Sequence, residues 1–132
     1  MTRPLGRYVF LVAAAGSSIE TVAFLSRMWE FADPAYLIVQ IVGFYGIVMG
    51  GLCHRIASQH PVIRFLAGFG VGGLAEVANH AWMGAWAFPD DRVWGLAVPL
   101  PGLLALAVAW GFIPLLAPIA LRPFVRESVE EP

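Results

Sequence analysis

Four apolar stretches, at about 8–29, 35–52, 62–87 and 99–121, take up most of the chain. The first is long enough, at 1.5 Å per residue, to cross a bilayer's hydrocarbon of roughly 30 Å, and each of the others has at least the roughly 17 residues that a spanning helix needs. The 132 residues are 59% hydrophobic and 13% charged, against about a quarter charged in soluble domains. A water-soluble fold of this size could not hide that much apolar surface. The expected fold class is therefore all-α, an integral membrane four-helix bundle forming one domain over 1–121, with a flexible polar tail at 122–132. The first stretch is longer than the apolar core of a signal peptide and no small-x-small cleavage site follows it, so it is expected to remain as a span.

Turn chemistry agrees with this division. Asp33 before Pro34 offers a cap and a first helical residue for the second span, and Pro61 can start the third. Pro99 and Pro101 open the fourth, which contains Pro114 and Pro118 and is expected to kink near 110–114. With four spans, Arg3, Arg7, Arg55, Arg64, Arg122 and Arg126 fall on one side and Arg27 and Arg92 on the other. The positive-inside rule then puts the N and C termini in the cytoplasm, and a bacterial inner (plasma) membrane is the expected location. A net charge of -1 leaves no basic patch for nucleic acid, and the single Cys53 excludes an intrachain disulfide.

The third stretch carries the chemistry. In LAGFGVGGLAEVANHAWMGAW, residues 66–86, steps of four give Gly68, Gly72, Glu76, His80 and Gly84, with Asn79 and Met83 beside that line. One narrow face is small at both ends and polar in the middle. Ionisable groups at membrane depth are expensive and usually face a bundle interior, a cavity or a partner. The first stretch adds Glu20 near its middle, beside Ser17, Ser18 and Thr21, whose hydroxyls are expected to bond back to the preceding turn. By helical rise Glu20 lies roughly 18 Å and Glu76 roughly 21 Å from the cytoplasmic side, with His80 about 6 Å further out. Two neighbouring carboxyls in a low dielectric cannot both stay ionised cheaply, which makes a proton donor available at neutral pH.

These residues support a pocket in which Glu76 is the acid, His80 its relay or base one turn away, and Glu20 the second carboxyl. Asn79 and Gln40 would bind and orient a ligand, with Trp82, Trp86 and Trp110 as walls, although interfacial anchoring suits Trp29, Trp86 and Trp94 better. The leading function is an enzyme that protonates, isomerises, cyclises or hydrates an apolar lipid or isoprenoid-like molecule. Two other classes fit the sequence: a non-catalytic subunit or assembly factor of a larger membrane complex, and a small proton-coupled carrier. The line Gln40, Gly43, Ile47 and Gly50, with Gly46 adjacent, forms a small-residue face on the second span that could pack helices within the chain or in a homo- or hetero-oligomer. No cofactor and no metal are expected. Glu76 and His80 have ligand spacing, but a di-iron bundle needs more carboxylates and a second inward histidine. His54 and His60 lie near the opposite surface from His80.

Overall fold

Proline and its capping partners set where the helices begin. Asp33 caps the second helix by accepting from the Ala35 N–H at 2.7 Å, with Pro34 at the first helical position. His60 plays the same part for the third, its Nδ1 accepting from the Val62 N–H at 3.3 Å ahead of Pro61. Proline suits that position because the N–H it lacks would have no intrahelical acceptor there.

The computed structural model describes residues 5–126, and its fold is an all-α bundle of four membrane-length helices. These are α1 (Leu5–Ser26), α2 (Pro34–Ile56), α3 (Pro61–Met83) and α4 (Gly102–Ala120), followed by a short α5 (Arg122–Arg126). Residues 122–126, expected to open a flexible tail, are thus helical, and the remainder of that tail, 127–132, lies outside the described residues. The Arg7 guanidinium donates to the Phe124 carbonyl at 2.8 Å, which ties α5 to the start of α1. The outer faces are apolar and exposed, Phe10, Phe24, Leu25 and Leu74 among them. Such faces belong against lipid tails.

Helix pairs form where glycine permits close approach. α1 packs along α2, and α3 along α4. A Cβ on Gly50 would lie 2.8 Å from the Val9 Cα, and one on Gly68 would meet the Pro114 ring and the Trp110 carbonyl, each at 2.6 Å. Proline 114 has no N–H for that carbonyl, and the bare Gly68 backbone occupies the space beside it. α1 and α4 do not close on one another. They leave a groove of about 320 Å³ walled by side chains such as Leu11, Ile19, Phe112 and Leu116.

The second span departs from the expected winding. Its middle, Val39–Gly50, is a π-helix, so its buried residues are Gln40, Tyr45, Gly46, Met49 and Gly50. The wider turn moves the inward line away from Gly43 and Ile47, which a 3.6-residue period groups with Gln40 and Gly50. Ile47 is exposed and a Cβ on Gly43 would meet only its own Val39 side chain.

Two apolar cores result. Tyr8, Val12, Tyr45, Met49, Cys53 and Trp110 form one inside the bundle. Ala85, Trp86, Phe88, Val93, Leu103 and Leu106 form the other, where the connections after α1 and α3 meet the start of α4. Strand β1 (Glu30–Phe31) pairs antiparallel with β2 (Trp86–Ala87), with Phe31 opposite Trp86. β3 (Arg92–Val93) and β4 (Leu96–Ala97) form a hairpin whose central Trp94 and Gly95 both have positive φ, 50° and 78°. That pair of left-handed residues is the tight turn whose twist matches antiparallel strands.

Candidate functional site

Between the two cores lies a cavity of about 100 Å³ bordered by both intramembrane acids. Glu76 reaches it from α3 and Glu20 from α1, and the two side chains are 4% and 3% exposed. The indole N–H groups of three of the cavity's four tryptophans turn toward these acids. Trp110 donates to Glu76 Oε1 at 2.9 Å and Trp86 to Glu76 Oε2 at 3.2 Å. Trp29 donates to Glu20 Oε2 at 2.8 Å. An indole N–H can only donate, so each contact uses the carboxyl as acceptor. Glu76 is held on both oxygens. Glu20 Oε1 is buried and, among the described residues, makes no hydrogen bond of standard geometry, although the Tyr45 hydroxyl also interacts with the Glu20 carboxyl.

The walls are aromatic. Trp29, Trp86, Trp94, Trp110, Tyr45, Phe31 and Phe88 all line the cavity, and Gln40 adds an amide from α2. Trp110 packs edge-on to Phe44 with ring centroids 4.9 Å apart, and tilted against Tyr45 at the same separation. Among the described residues no Lys, Arg or His side chain lines it. Glu20, Trp29 and Phe31 also border a vestibule of about 860 Å³ that has Arg27 and Glu30 on its walls. Ile19, Tyr45, Ala109 and Ile113 are shared with the lipid-side groove between α1 and α4. The cavity therefore has one polar approach and one apolar approach.

Asn79 explains how the Trp86 ring reaches Glu76. Its Oδ1 accepts from the Ala85 and Trp86 N–H groups at 2.8 and 3.1 Å, and its Nδ2 donates to the Trp86 carbonyl at 2.9 Å. One buried amide thus satisfies three backbone groups of a chain that has just left the helix. Gly84 makes the reversal possible, with φ of 59° and its N–H on the Asn79 carbonyl five residues back. Left-handed backbone of this kind is cheap only for glycine.

No family model, curated protein or solved structure significantly matches the chain. Of the residues singled out in the sequence, Glu20, Gln40, Glu76 and Trp110 line the cavity. Asn79 is buried beneath it, and its amide is engaged by backbone rather than facing the cavity. His80 and Trp82 are exposed on the outside and are not brought to Glu76. The reason is the π-turn over Asn79–Met83, which breaks the four-residue register that puts His80 on the face of Glu76. Trp29 and Trp86, which suit interfacial anchoring by position, are instead partners of the acids. Among the described residues no group of three or more His, Cys, Asp or Glu gathers as a metal site. Ser18 and Thr21 bond back to the carbonyls of Ala14 and Ser17 and take no part.

Trp86→Phe keeps an aromatic ring, smaller than the indole, and removes one donor from Glu76. It should lower stability by about 1.5 kcal/mol, the scale of a hydrogen bond to a carboxylate, read as a lower unfolding midpoint in detergent.

Proposed function

We propose that the protein binds an apolar lipid or isoprenoid-like molecule in this cavity and carries out proton-transfer chemistry on it, as an isomerase, cyclase or hydratase would. The observation that carries the reading is the convergence of two buried carboxyls, from α1 and α3, on one aromatic-walled cavity with an approach from the lipid side. Glu20, with one oxygen outside any hydrogen bond of standard geometry, gives a proton to the ligand or takes one from it. Glu76, fixed by two indoles, holds negative charge opposite the positive charge that builds on a protonated double bond. The tryptophan and phenylalanine walls exclude water and stabilise the same charge through their ring faces. His80 has no part in this scheme, because its side chain lies outside the cavity. Both termini lie on the cytoplasmic side, in keeping with the arginine distribution.

The subunit alternative draws on glycine faces left open for partners. Most of those glycines are used within the bundle: Gly46 and Gly50 against α1, Gly68, Gly72 and Gly73 against α4. That favours the cavity over the surface as the seat of function. The test is a comparison of solvent extracts from cells expressing wild type or Glu76→Gln at matched membrane levels. An apolar molecule whose abundance changes with the carboxyl, by tenfold or more if it holds charge in the transition state, supports the reading and names the substrate class. Identical extracts would overturn it.

A further inference from the structure

The cavity's electrostatics are one-sided. Among the described residues two carboxyls border it, no basic side chain does, and seven aromatic rings make up most of the rest. A carboxylate in a dry site is costly unless it takes up a proton or a ligand supplies the opposite charge, and two carboxyls at one cavity leave a place for either. Aromatic faces attract cations, most strongly where water is excluded. Glu20 Oε1 gives a second, separate indication. It is a buried acceptor that, among the described residues, makes no hydrogen bond of standard geometry, with only the neutral Tyr45 hydroxyl interacting with its carboxyl besides Trp29, and it belongs to a residue that borders both the cavity and the vestibule. A buried acceptor of this kind needs a donor or a positive charge.

The apolar approach adds a shape. The groove between α1 and α4 meets the cavity at Ile19, Tyr45, Ala109 and Ile113 and continues to Leu11 on one helix and Leu121 on the other. From Ile19 to Leu11 the helical rise gives roughly 12 Å, the length of a medium alkyl or short isoprenoid tail. The cavity itself, at about 100 Å³, has room for a head group of several heavy atoms and not for a whole lipid.

We infer that the ligand is an amphiphile whose head carries a positive charge, permanent or developed during reaction, held between Glu20 and the aromatic walls while its tail lies in the α1–α4 groove. This rests on the cavity being the ligand site, as proposed above, and adds the charge of what it takes. A lipophilic quaternary ammonium then binds as a mimic of the charged state.

The probes are decyltrimethylammonium and its uncharged isostere, in which a quaternary carbon replaces the nitrogen. The full chain is placed in zwitterionic lipid nanodiscs, and binding is followed by tryptophan fluorescence, with empty nanodiscs giving each probe's partitioning. Four of the five tryptophans line the cavity, so occupancy should alter the signal. The ammonium should bind at least roughly tenfold more tightly than the isostere. Glu20→Gln should erase that preference and leave the isostere's binding unchanged. Ala109→Phe, at the junction of groove and cavity, should weaken both decyl probes while sparing tetramethylammonium. Equal affinity of the two probes for wild type overturns the inference, as does a preference that survives Glu20→Gln. The outcome separates from that of the solvent extracts. Extracts unchanged by Glu76→Gln with an intact ammonium preference would leave a cation-binding protein without the chemistry. Changed extracts with no preference would leave an enzyme whose ligand stays neutral.

Discussion

Asn79→Ala lowers stability by about 3 kcal/mol and releases Trp86 from Glu76. Alanine leaves the Ala85 and Trp86 N–H groups and the Trp86 carbonyl without their partner, in a place where Asn79 itself is 1% exposed. Each buried backbone group left unpaired costs about 1 kcal/mol or more. The damage should be local in space but wide in consequence. β2 pairs with β1 through Trp86 and Phe31, and Ala32 donates to the Ala85 carbonyl at 2.8 Å, so the connection after α1 loses its anchor as well. Denaturant unfolding in micelles should show the lower midpoint, and the emission of the buried tryptophans should shift to the red before the bundle unfolds.

Gly72→Val should be comparably severe by a different mechanism. A Cβ on Gly72 would overlap the Trp110 Cβ and Cγ, so the ring must leave its place. Overpacking of this kind costs about 1–3 kcal/mol, and here the displaced ring also gives up its bond to Glu76 Oε1 and its contacts with Phe44 and Tyr45. Gly70→Ala is the matched control on the same helix. Nothing lies within 4 Å of its Cβ position, and alanine favours helix by about 0.5–1 kcal/mol over glycine. The two variants should therefore move the unfolding midpoint in opposite directions.

The four helices are legible in the sequence because length and apolar content decide them, and the Asp33–Pro34 and Pro61 starts follow from local chemistry. Helical rise also puts Glu20 and Glu76 at one level, where both border the cavity. What the sequence conceals comes from places where the backbone leaves the 3.6-residue period. The π-winding of Val39–Gly50 turns Tyr45 and Met49 inward in place of Gly43 and Ile47. The π-turn at Asn79–Met83 breaks the register that puts His80 near Glu76 on a regular helical wheel, and His80 and Trp82 both lie outward. Hydrophobic periodicity carries no sign of such a turn, since Ala, Trp and Met suit either winding.

Trp86 was obscured differently. Its position near the end of an apolar stretch matches an interfacial anchor, and only the reversal at Gly84 brings it back beneath α3. A signal was present in the spacing: Asn79 five residues before Gly84, with Trp86 and Phe88 at alternate positions after it, is a combination from which a side-chain-supported reversal can be read. Trp29 has no comparable mark. Its bond to Glu20 depends on the connection after α1 folding over the cavity, which β1–β2 pairing decides at long range.

Whether the two carboxyls work as one unit is measurable through their coupling. Wild type, Glu20→Gln, Glu76→Gln and the double variant would be expressed at matched membrane levels, and the abundance of the converted apolar molecule followed in each. Groups acting on one ligand in one cavity are non-additive, so each single variant should lose nearly as much conversion as the double. Losses that multiply independently, or a Glu20→Gln protein that converts as well as wild type, would contradict a shared site between α1 and α3.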